Sequence, residues 1–441
     1  MNNPMGAASN KAVTFTQCSL VSPFRTTTTK TAAADIRNAV IRLDIYEDMF
    51  SPTLTGTVEL QDNLNLSSLI PLVGLEMLRV GFYMTQDNIP RKYEFPFAIY
   101  NQSDRIPQNQ GTEKYTLGLS SPELVASTSR RISFAFQNKK VEDVIRELLT
   151  SPKYLNSRKR FTDVEATTSA ISLVSPYLTP LETIRLLTLQ GQSASNETNY
   201  VFYENLEGFH FTSFARAIRT TNQSIIPRIS MQLAGTTGGN TKDFMTADQI
   251  HLVSGFDHLY LLSHGYFAST TFALDVLSGK YEVEISSSGL APFSARPLMN
   301  GAGATPLYPN IYGRASNPTA KMFLVPTTHL SAANTSLTSV DATIKNNFIA
   351  QTLDGRNREL LGLQSRCVRV TVSGAPELNV GKLVHITIPN PVNNNQFSQQ
   401  KKDIATGVYM IVKAKHSIIQ NKNTGYEYET TFEAVTDSVS P

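Results

Sequence analysis

Apolar and polar residues alternate along much of the first third of the chain. From Leu43, the segment LDIYEDMFSPTLTGTVELQDNL alternates, breaks at SPTLTG and then alternates again. This pattern is typical of an antiparallel hairpin with one buried face. Together with EMLRVGFYM, YEFPFAIYN and EKYTLGLS, the region holds five segments of period two joined by short turns. They predict a small antiparallel β-barrel over residues 36–128.

A helical periodicity follows this region. The segment NKKVEDVIRELLT places its apolar residues on one helical stripe before Pro152, and TPLETIRLLTLQGQ begins with Thr179 as N-cap and Pro180 in the first turn. Both patterns predict helices. The next segment, NYVFYENLEGFHFTSF, predicts two strands around the turn ENLEG. Helix, helix and hairpin together predict an inserted α+β domain over residues 129–216.

Strand-like segments return in the second half of the chain. We expect residues 217–289, which include SGFDHLYLLSHGYFASTTFALDV and KYEVEIS, to form the first part of a second β-barrel. Residues 290–364 predict a surface excursion, rich in Pro, Asn, Ser and Thr, and then a helix capped by Ser339 or Asp341. The segments from RCVRVTVSG to YEYETTFEAV predict the remainder of this barrel over residues 365–437.

The two strand-rich halves also resemble each other. Aligned without a gap, FAIYNQSDRIPQNQGTEKYTLGL from Phe97 and YMIVKAKHSIIQNKNTGYEYETT from Tyr409 each hold two strands around a turn that contains QN. Such a repeat indicates a duplicated structural unit, although hairpins of similar composition can also match by chance. The sequence therefore predicts a mainly β fold of two similar small antiparallel β-barrels, with a helix–helix–hairpin domain inserted between them.

The N-terminal region predicts an arm outside both barrels. Residues 1–35 are small and polar and end in RTTTTKTAAAD, which is typical of a poorly ordered lead-in. The first residues lack the basic-then-apolar pattern of a secretory signal. No apolar stretch reaches the ~18 residues that a membrane helix needs. These features favour a soluble protein made in the cytoplasm.

The charge balance gives no general drive toward nucleic acid or an anionic membrane, since the 441 residues carry a net charge of only +3. Charged residues make up 17% of the chain, which together with the many Thr, Ser, Tyr and Phe residues favours β structure. The one dense basic run, residues 156–161, could bind phosphate, but a solvated loop is the favoured interpretation. Cys18 and Cys367 fit no metal or redox motif and are expected as reduced thiols.

One segment, HLVSGFDHLYLLSHG, contains candidate metal ligands. They are His251, Asp257, His258 and His264. If this segment is a strand, His258 and His264 lie about 20 Å apart at ~3.3 Å per residue, too far to share an ion. Ordinary surface or core histidines are therefore favoured. The sequence also lacks the motifs of phosphate-binding loops, α/β-hydrolases and zinc proteases, so we expect no cofactor and no metal.

Two carboxylate pairs are candidates for glycosidase chemistry, which needs two convergent acids. The pairs are Glu59 with Asp62 and Glu204 with Glu207, and nothing in the sequence singles either pair out. Glu204 and Glu207 flank a tight turn, where solvent exposure is expected. The acids of the hairpin that begins at Leu43 are expected on the polar face of a barrel wall. We therefore expect no catalytic residue and no enzymatic activity.

Two stretches resemble a known family. The segment from TPLETIRLLTLQGQ to NYVFYENLEGFHFTSF is similar to part of the baseplate hub proteins of contractile-tailed bacteriophages. The segment RVTVSGAPELNVGKLVHITIP, followed by GVYMIVKAKHSI, resembles the last barrel of the wider tail hub and type VI secretion spike superfamily. The positions that carry this second resemblance are Gly374, Pro376, Leu378, Val380, Gly381, Gly407, Tyr409, Ile411 (in place of Val) and His416. In the order of its elements, the resemblance covers residues 36–436 and leaves the N-terminal arm and the excursion over residues 290–338 unassigned.

The resemblance implies a structural, tail-tube-like fold in the tail baseplate of a virion, assembled in the cytoplasm of a host bacterium. A homotrimer would form a ring that adapts the hexameric tail tube protein to the trimeric central spike protein and initiates tube assembly. Two barrels per chain would provide six barrel positions in a trimer, which matches a sixfold tube. Further implied partners are the tape measure protein, the baseplate wedge and DNA in transit during genome ejection.

Two alternatives stay open at this point. The chain could be the spike-base protein of a contractile injection or secretion system, which shares the implied fold but delivers proteins. It could also be a β-rich carbohydrate-binding or carbohydrate-degrading protein. The enzymatic alternative predicts an acidic pair that faces a cleft.

Overall fold

Strands form most of the described part of the chain in a computed structural model. The structure describes residues 11–22, 33–63, 66, 72–74, 76–86, 89–109, 111–168, 170–194, 197–220, 226–231, 245–255, 257–266, 268–275, 281–287, 299–300, 305–306, 321–327, 348–364, 366–388, 405–421, 423 and 425–439. Its helices are α1 (Pro122–Thr128), α2 (Val141–Thr150), α3 (Pro180–Thr188), α4 (Phe214–Thr220), α5 (His258–Ser263) and α6 (Phe348–Gln364), and a 3₁₀ turn spans Arg37–Ala39.

The strands are numbered in chain order. Those of the first half are β1 (Ala12–Val21), β2 (Ala33–Asp35), β3 (Val40–Asp48), β4 (Thr55–Asp62), β5 (Met77–Gln86), β6 (Ile89–Asn109), β7 (Thr112–Ser120), β8 (Ala135–Lys140), β9 (Phe161–Val164), β10 (Ala170–Val174), β11 (Tyr200–Asn205) and β12 (Gly208–Ser213). Those of the second half are β13 (Arg228–Met231), β14 (Met245–Ser254), β15 (Ala268–Asp275), β16 (Tyr281–Ser287), β17 (Thr305–Pro306), β18 (Met322–Thr327), β19 (Arg366–Ser373), β20 (Leu383–Thr387), β21 (Gly407–Asn421), β22 (Gly425–Thr436) and β23 (Ser438–Val439).

Thirteen of these strands pair into one sheet, whose hydrogen-bonded neighbours form two closed circuits. The first circuit runs β1–β5–β6–β7–β4–β3–β21–β22 and returns to β1. The second runs β22–β19–β14–β13–β20–β21 and returns to β22. The circuits share the hairpin β21–β22. The predicted mainly β fold with a helical insert is confirmed, whereas the similarity of the two predicted barrels stays a prediction.

Each circuit has its own apolar core, because alternate side chains of a strand point to the same face. β4 shows the principle, since every second residue from Gly56 to Asp62 is buried and the residues between them are half-buried. Core residues include Leu43, Val58, Phe82 and Leu117 in the first circuit and Val370, Val384, Ile411 and Phe432 in the second.

The helical insert has a third core. α3 begins with a capping box, in which the Glu182 backbone N–H donates to Thr179 Oγ1 at 3.2 Å and the Thr179 N–H donates to Glu182 Oε2 at 2.8 Å. β11 and β12 form the predicted hairpin. Both predicted helices and the hairpin are confirmed. The apolar stripe of α2 is buried in this core and consists of Val141, Val144, Ile145, Leu148 and Leu149.

A strand lies where the sequence predicts only an arm. β1 pairs antiparallel with β5 and, at its start, with β22, so it closes the first circuit. Its residues Val13, Phe15, Cys18 and Leu20 are buried in the first core. The structure thus differs from the predicted arm over residues 1–35, because a short apolar alternation gains enough burial to pair. The remaining predicted domain boundaries stay predictions.

The segment around Leu259 is helical, whereas its composition predicts a strand. Asp257 caps α5, since the N–H of Tyr260 donates to its Oδ1 at 2.9 Å. A short apolar run fits both helix and strand by periodicity alone, so the strand prediction was wrong here. Among the described residues, no helix is both long and apolar enough to cross a membrane.

The described part of the last helix begins at Phe348. The predicted caps Ser339 and Asp341 lie outside the described residues, as does most of the predicted excursion over residues 290–338. A helix in this part of the sequence is nevertheless confirmed by α6.

Candidate functional site

Glu47 lies where the two strand circuits and the insert meet. Its side chain is fully buried on β3. The N–H of Leu206, in the turn between β11 and β12, donates to its Oε1 at 2.7 Å. The N–H of Val380, in the turn between β19 and β20, donates to its Oε2 at 2.8 Å. One carboxyl group therefore joins the first circuit, the insert and the second circuit.

His416 and Tyr428 extend this contact across the shared hairpin. His416 Nε2 lies 3.5 Å from Glu47 Oε1, and its Nδ1 lies 2.9 Å from the Tyr428 hydroxyl. Burial raises the pKa of Tyr428 well above its ordinary value, so the hydroxyl keeps its proton. The imidazole of His416 thus lies between the Tyr428 hydroxyl and the Glu47 carboxyl group. We call Glu47, Leu206, Val380, His416 and Tyr428 the Glu47 cluster.

The alternation of apolar and polar residues along β3 indicates that Glu47 is buried. Leu43, Ile45 and Glu47 are spaced two residues apart, so all three point to the same, buried face. The expectation that the acids of this hairpin lie on the polar face is therefore wrong for Glu47. Asp44 has the opposite parity and lies on the polar face, as expected, where it pairs with Arg42 and its buried carboxyl group accepts a hydrogen bond from the Ser417 hydroxyl at 2.7 Å. These hydrogen bonds offset the cost of burying the two carboxyl groups.

The turn that carries Val380 packs directly against the insert. Gly381 has a φ of +90°, a left-handed conformation that favours glycine. A Cβ atom at this position would overlap the hydroxyl of Tyr203 and lie 2.9 Å from its Cζ. Tyr203 is held in place by its stack on His210, with the ring centroids 4.9 Å apart. Glycine in this turn therefore lets a tyrosine of the insert reach the second circuit.

Polar contacts flank this packing. Asn205 Nδ2 donates to the carbonyl of Val380 at 3.3 Å, and Lys382 forms an ion pair with Glu207. Burial acts to raise the pKa of Glu207, but the hydrogen bond and the charge of Lys382 outweigh it and lower the pKa. The turn thus binds the insert through apolar packing, a neutral hydrogen bond and an ion pair.

A second buried cluster joins the insert to the first circuit. Lys159 Nζ lies 2.6 Å from Glu204 Oε1 and 2.7 Å from Glu123 Oε2. The other oxygen of Glu204 accepts hydrogen bonds from the Leu54 N–H at 3.0 Å and from the Ser121 hydroxyl at 2.7 Å. Burial raises the pKa of Glu204, and the charge of Lys159 opposes that increase. We call these five residues the Lys159 cluster.

Two sequence expectations were wrong at this cluster. The side chain of Glu204 is only 2% exposed, because its strand β11 is covered on both faces. Lys159 belongs to the basic run of residues 156–161, for which a solvated loop is expected, yet its side chain is 19% exposed and lies between two carboxyl groups. Neither contact can be seen in the sequence, since Glu204 is 45 residues from Lys159.

We expect the replacement Lys159→Met to lower the free energy of unfolding by about 3 kcal/mol at about pH 8, and by much less at about pH 5. The pKa of Glu204 is raised above 4.5 in the folded protein. Between pH 4.5 and the pKa that Glu204 has in the folded protein, its carboxyl group is ionised in the unfolded chain but protonated in the folded one. The free energy of unfolding therefore falls as pH rises through this interval. Removal of the Lys159 ammonium group raises the pKa of Glu204 in the folded protein further. The pH interval over which the free energy of unfolding falls is therefore wider in the variant.

Urea denaturation of the wild type and the variant at both pH values measures this effect. Lys92→Met is the control, because Lys92 forms an exposed ion pair with Glu94 and its side chain is 61% exposed. The control should change the free energy of unfolding by less than about 1 kcal/mol at either pH. A pH-independent difference between the wild type and Lys159→Met would contradict the prediction.

The candidate histidine set does not form a metal site in the described part of the structure, where no group of three or more His, Cys, Asp or Glu residues is suitably placed. His251 is exposed on β14, and Asp257 is engaged as the cap of α5. His264 Nδ1 lies 2.9 Å from the carbonyl of Tyr260. The side chain of His258 lies outside the described atoms.

The pair Glu59 and Asp62 is also engaged in contacts between strands. Glu59 forms an ion pair with Lys114 on the neighbouring β7. Asp62 is buried, and its Oδ2 accepts hydrogen bonds from the Leu66 N–H at 2.7 Å and the Tyr115 hydroxyl at 3.3 Å. Neither carboxyl group converges with the other on a cleft, so this pair does not have the arrangement that glycoside hydrolysis requires.

A groove of about 470 Å³ lies outside the shared hairpin. A row of charged residues crosses it from strand to strand in the order Arg369, Glu433, Lys413 and Asp48. Arg369 Nη2 lies 2.6 Å from Glu433, and Lys413 Nζ lies 3.9 Å from Asp48. Because each of these cations faces a carboxylate, the row carries no excess charge.

Both cysteines are free, in agreement with the expectation of reduced thiols. Burial raises the pKa of Cys18 to about 12 and that of Cys367 to about 11. Both side chains are therefore neutral thiols near pH 7, which are poor nucleophiles.

Solved structures that align with this chain include two tail proteins and a component of a type VI secretion system. The tail protein from Neisseria meningitidis MC58 aligns with a TM-score of 0.49 and 10% identity, over 96% of this chain and 96% of its own. The 43 kDa tail protein of prophage MuSo2 from Shewanella oneidensis aligns with a TM-score of 0.48 and 10% identity, over 96% of this chain and 98% of its own.

The E. coli c3393 protein, a component of the type VI secretion system, aligns with a TM-score of 0.40 and 10% identity, over 96% of this chain and 76% of its own. These similarities concern the fold alone. No protein-family model and no curated protein matches the chain.

Proposed function

We propose that this chain is the structural baseplate hub of a contractile phage tail. In this proposal, three copies form a ring that joins the hexameric tail tube to the trimeric central spike and initiates tube assembly. The observation that carries the proposal is the Glu47 cluster, in which one buried carboxyl group binds both strand circuits and the insert. Such a contact fixes the relative orientation of the three parts, and an adaptor between two symmetries needs that rigidity.

The shared hairpin supports the same proposal. We assign residues 36–128 to a first barrel, 129–216 to the insert, and 217–289 with 365–437 to a second barrel. Because β21 and β22 belong to both circuits, the two barrels of one chain cannot rotate independently. Three copies would then present six barrel positions at fixed angles. The further proposed partners in the virion are the tape measure protein, the baseplate wedge and DNA in transit.

We infer no enzymatic role for this chain. Glu204 and Asp62, the buried members of the two carboxylate pairs, both accept hydrogen bonds from backbone and side-chain donors. A catalytic acid must instead reach a substrate from the wall of a cleft. The buried acids of this chain therefore support an architectural role, which agrees with the family that the sequence resembles.

The mass of the purified chain in solution tests the proposal. We expect a species of three times the chain mass of 48.6 kDa, either alone or on addition of tube or spike subunits. Native mass spectrometry of each mixture measures it, and the tube and spike subunits measured alone serve as controls. A chain that stays monomeric in every mixture would overturn the hub assignment.

A further inference from the structure

A buried histidine, His210, lies at the joint between the insert and the second circuit. It belongs to β12, and only 7% of it is exposed. Its ring stacks on Tyr203 with an interplanar angle of 6°. Tyr203 in turn packs against the turn that carries Gly381. An ionisable ring therefore supports the tyrosine through which the insert contacts the second circuit.

A chain of hydrogen bonds connects His210 to the same turn. His210 Nε2 lies 2.9 Å from Asn205 Oδ1, and Asn205 Nδ2 donates to the carbonyl of Val380 at 3.3 Å. Asn205 Oδ1 also accepts from the Glu207 N–H at 2.8 Å. These contacts fix the orientation of the Asn205 amide. If it were turned around, its NH₂ group would meet a donor and its oxygen would meet an acceptor.

The orientation of Asn205 determines which nitrogen of the His210 ring carries the proton. Because Asn205 Oδ1 can only accept, Nε2 is the donor, and the neutral ring has its lone pair on Nδ1. In the part of the chain that the structure describes, no hydrogen bond reaches Nδ1 of this ring. A second proton, which binds at Nδ1, therefore finds no acceptor among these residues.

Four charged groups act on this ring across the joint. They are Glu207, Asp163, Glu47 and Lys382. Glu207 forms an ion pair with Lys382. Asp163 Oδ1 lies 3.0 Å from Arg216 Nη2. Glu47 accepts hydrogen bonds from two backbone N–H groups. Each of the three carboxyl groups is therefore engaged with a partner other than the imidazole.

The closed joint favours the neutral form of His210. Burial lowers the pKa of His210, and the three carboxyl groups oppose this decrease without reversing it. Tyr203 adds no charge, because burial raises the pKa of its hydroxyl. A joint that opens and exposes His210 to water therefore binds a proton more readily than the closed joint does.

We propose that His210 is an acid-sensitive latch, which holds the insert against the second circuit when it is neutral and loosens this contact when it is protonated. The neutral ring supports Tyr203 and donates to Asn205. The protonated ring places a charge and an unpaired N–H inside the joint. Because exposure to water relieves both costs, the turn around Val380 separates from the hairpin β11–β12 in acid. The latch does not depend on the proposed hub function, so either can fail without the other.

The pH range of the latch follows from the two states of the joint. An exposed histidine has a pKa of about 6.5, so above that pH both states are neutral at His210 and the joint has its full stability. As pH falls further, the open state gains a proton first and the closed joint loses stability. Glu207 keeps its charge in this range, because its pKa lies below its ordinary value. The ion pair with Lys382 therefore does not cause the opening.

Hydrogen exchange of the full chain at about pH 7.5 and about pH 5.5 tests the latch. Mass spectrometry measures the protection factor of the peptic peptide that contains Val380, corrected for the intrinsic exchange rate at each pH. We expect this factor to fall by about threefold to tenfold in acid. The peptide of β4 reports global unfolding and should not lose protection. No fall in the Val380 peptide, or an equal fall in the β4 peptide, overturns the proposal.

Variants of His210 assign the effect to this ring. His210→Gln cannot bind a proton but presents an NH₂ group in place of Nε2–H, so the Val380 peptide should be equally protected at both pH values. His210→Phe keeps a ring on Tyr203, and it should show weaker protection at about pH 7.5 with no further fall in acid. The control His251→Gln, which replaces an exposed histidine of β14, should respond to pH as the wild type does. A fall in either His210 variant, or its absence in His251→Gln, overturns the proposal.

Discussion

The replacement Glu47→Gln should lower the free energy of unfolding by about 3 kcal/mol. A glutamine has one acceptor oxygen, whereas Glu47 accepts hydrogen bonds from both Leu206 and Val380. In the variant, the amide NH₂ group would face one of these two buried N–H groups and leave it without an acceptor. Urea denaturation followed by far-UV circular dichroism measures the loss, and the chain has no Trp for a fluorescence probe.

The matched control is Glu94→Gln on β6. The side chain of Glu94 is 58% exposed, and its partner Lys92 is equally accessible at 61%. This change should alter the free energy of unfolding by no more than about 0.5 kcal/mol. If both glutamine variants unfold at the same urea concentration, then Glu47 does not hold the parts of the chain together, and the central support for the hub proposal is lost.

Gly381→Ala should destabilise the chain by about 3 kcal/mol or more. Two effects add at this position. The left-handed φ of +90° disfavours any side chain, and the new Cβ would overlap the hydroxyl of Tyr203. We also expect impaired assembly if the chain is a hub, because the turn can only relax by moving away from the insert. Urea denaturation and native mass spectrometry measure the two consequences.

Gly425→Ala separates these two effects. Gly425 has a nearly identical φ of +91°, but no atom lies within 4 Å of the position that its Cβ would take. It should therefore cost only the backbone strain, about 1–2 kcal/mol. Tyr203→Phe combined with Gly381→Ala should recover part of the loss, because it removes the overlapping oxygen. Equal losses for the two alanine variants would show that Tyr203 plays no part.

Local elements could be predicted where one pattern was consistent over several residues. The hairpin of β3 and β4 alternates over its whole length, and α3 carries both Thr179 at its N-cap and Pro180 in its first turn. Prediction failed at β1 and α5, where the apolar runs were short. At such lengths the partner strand or a single cap such as Asp257 decides between the alternatives.

The candidate site was only partly within reach of the sequence. Glu47 could have been found, because it has the same strand parity as Leu43 and Ile45. The role of Tyr203 could not, since nothing near it in the chain indicates that it meets Gly381. The same holds for Val380, which binds Glu47 across 333 residues.

The sequence by itself determined the mainly β character, the helical insert and most of the strands, because periodicity and capping act over a few neighbouring residues. Only the tertiary structure decided that the hairpin β21–β22 belongs to both circuits, that Glu47 meets Leu206 and Val380, and that Lys159 lies between two carboxyl groups. The physical reason is the same in each case. A strand pair or a buried charge is stable only when its hydrogen-bond partners arrive from distant parts of the chain, and the local pattern does not specify those partners.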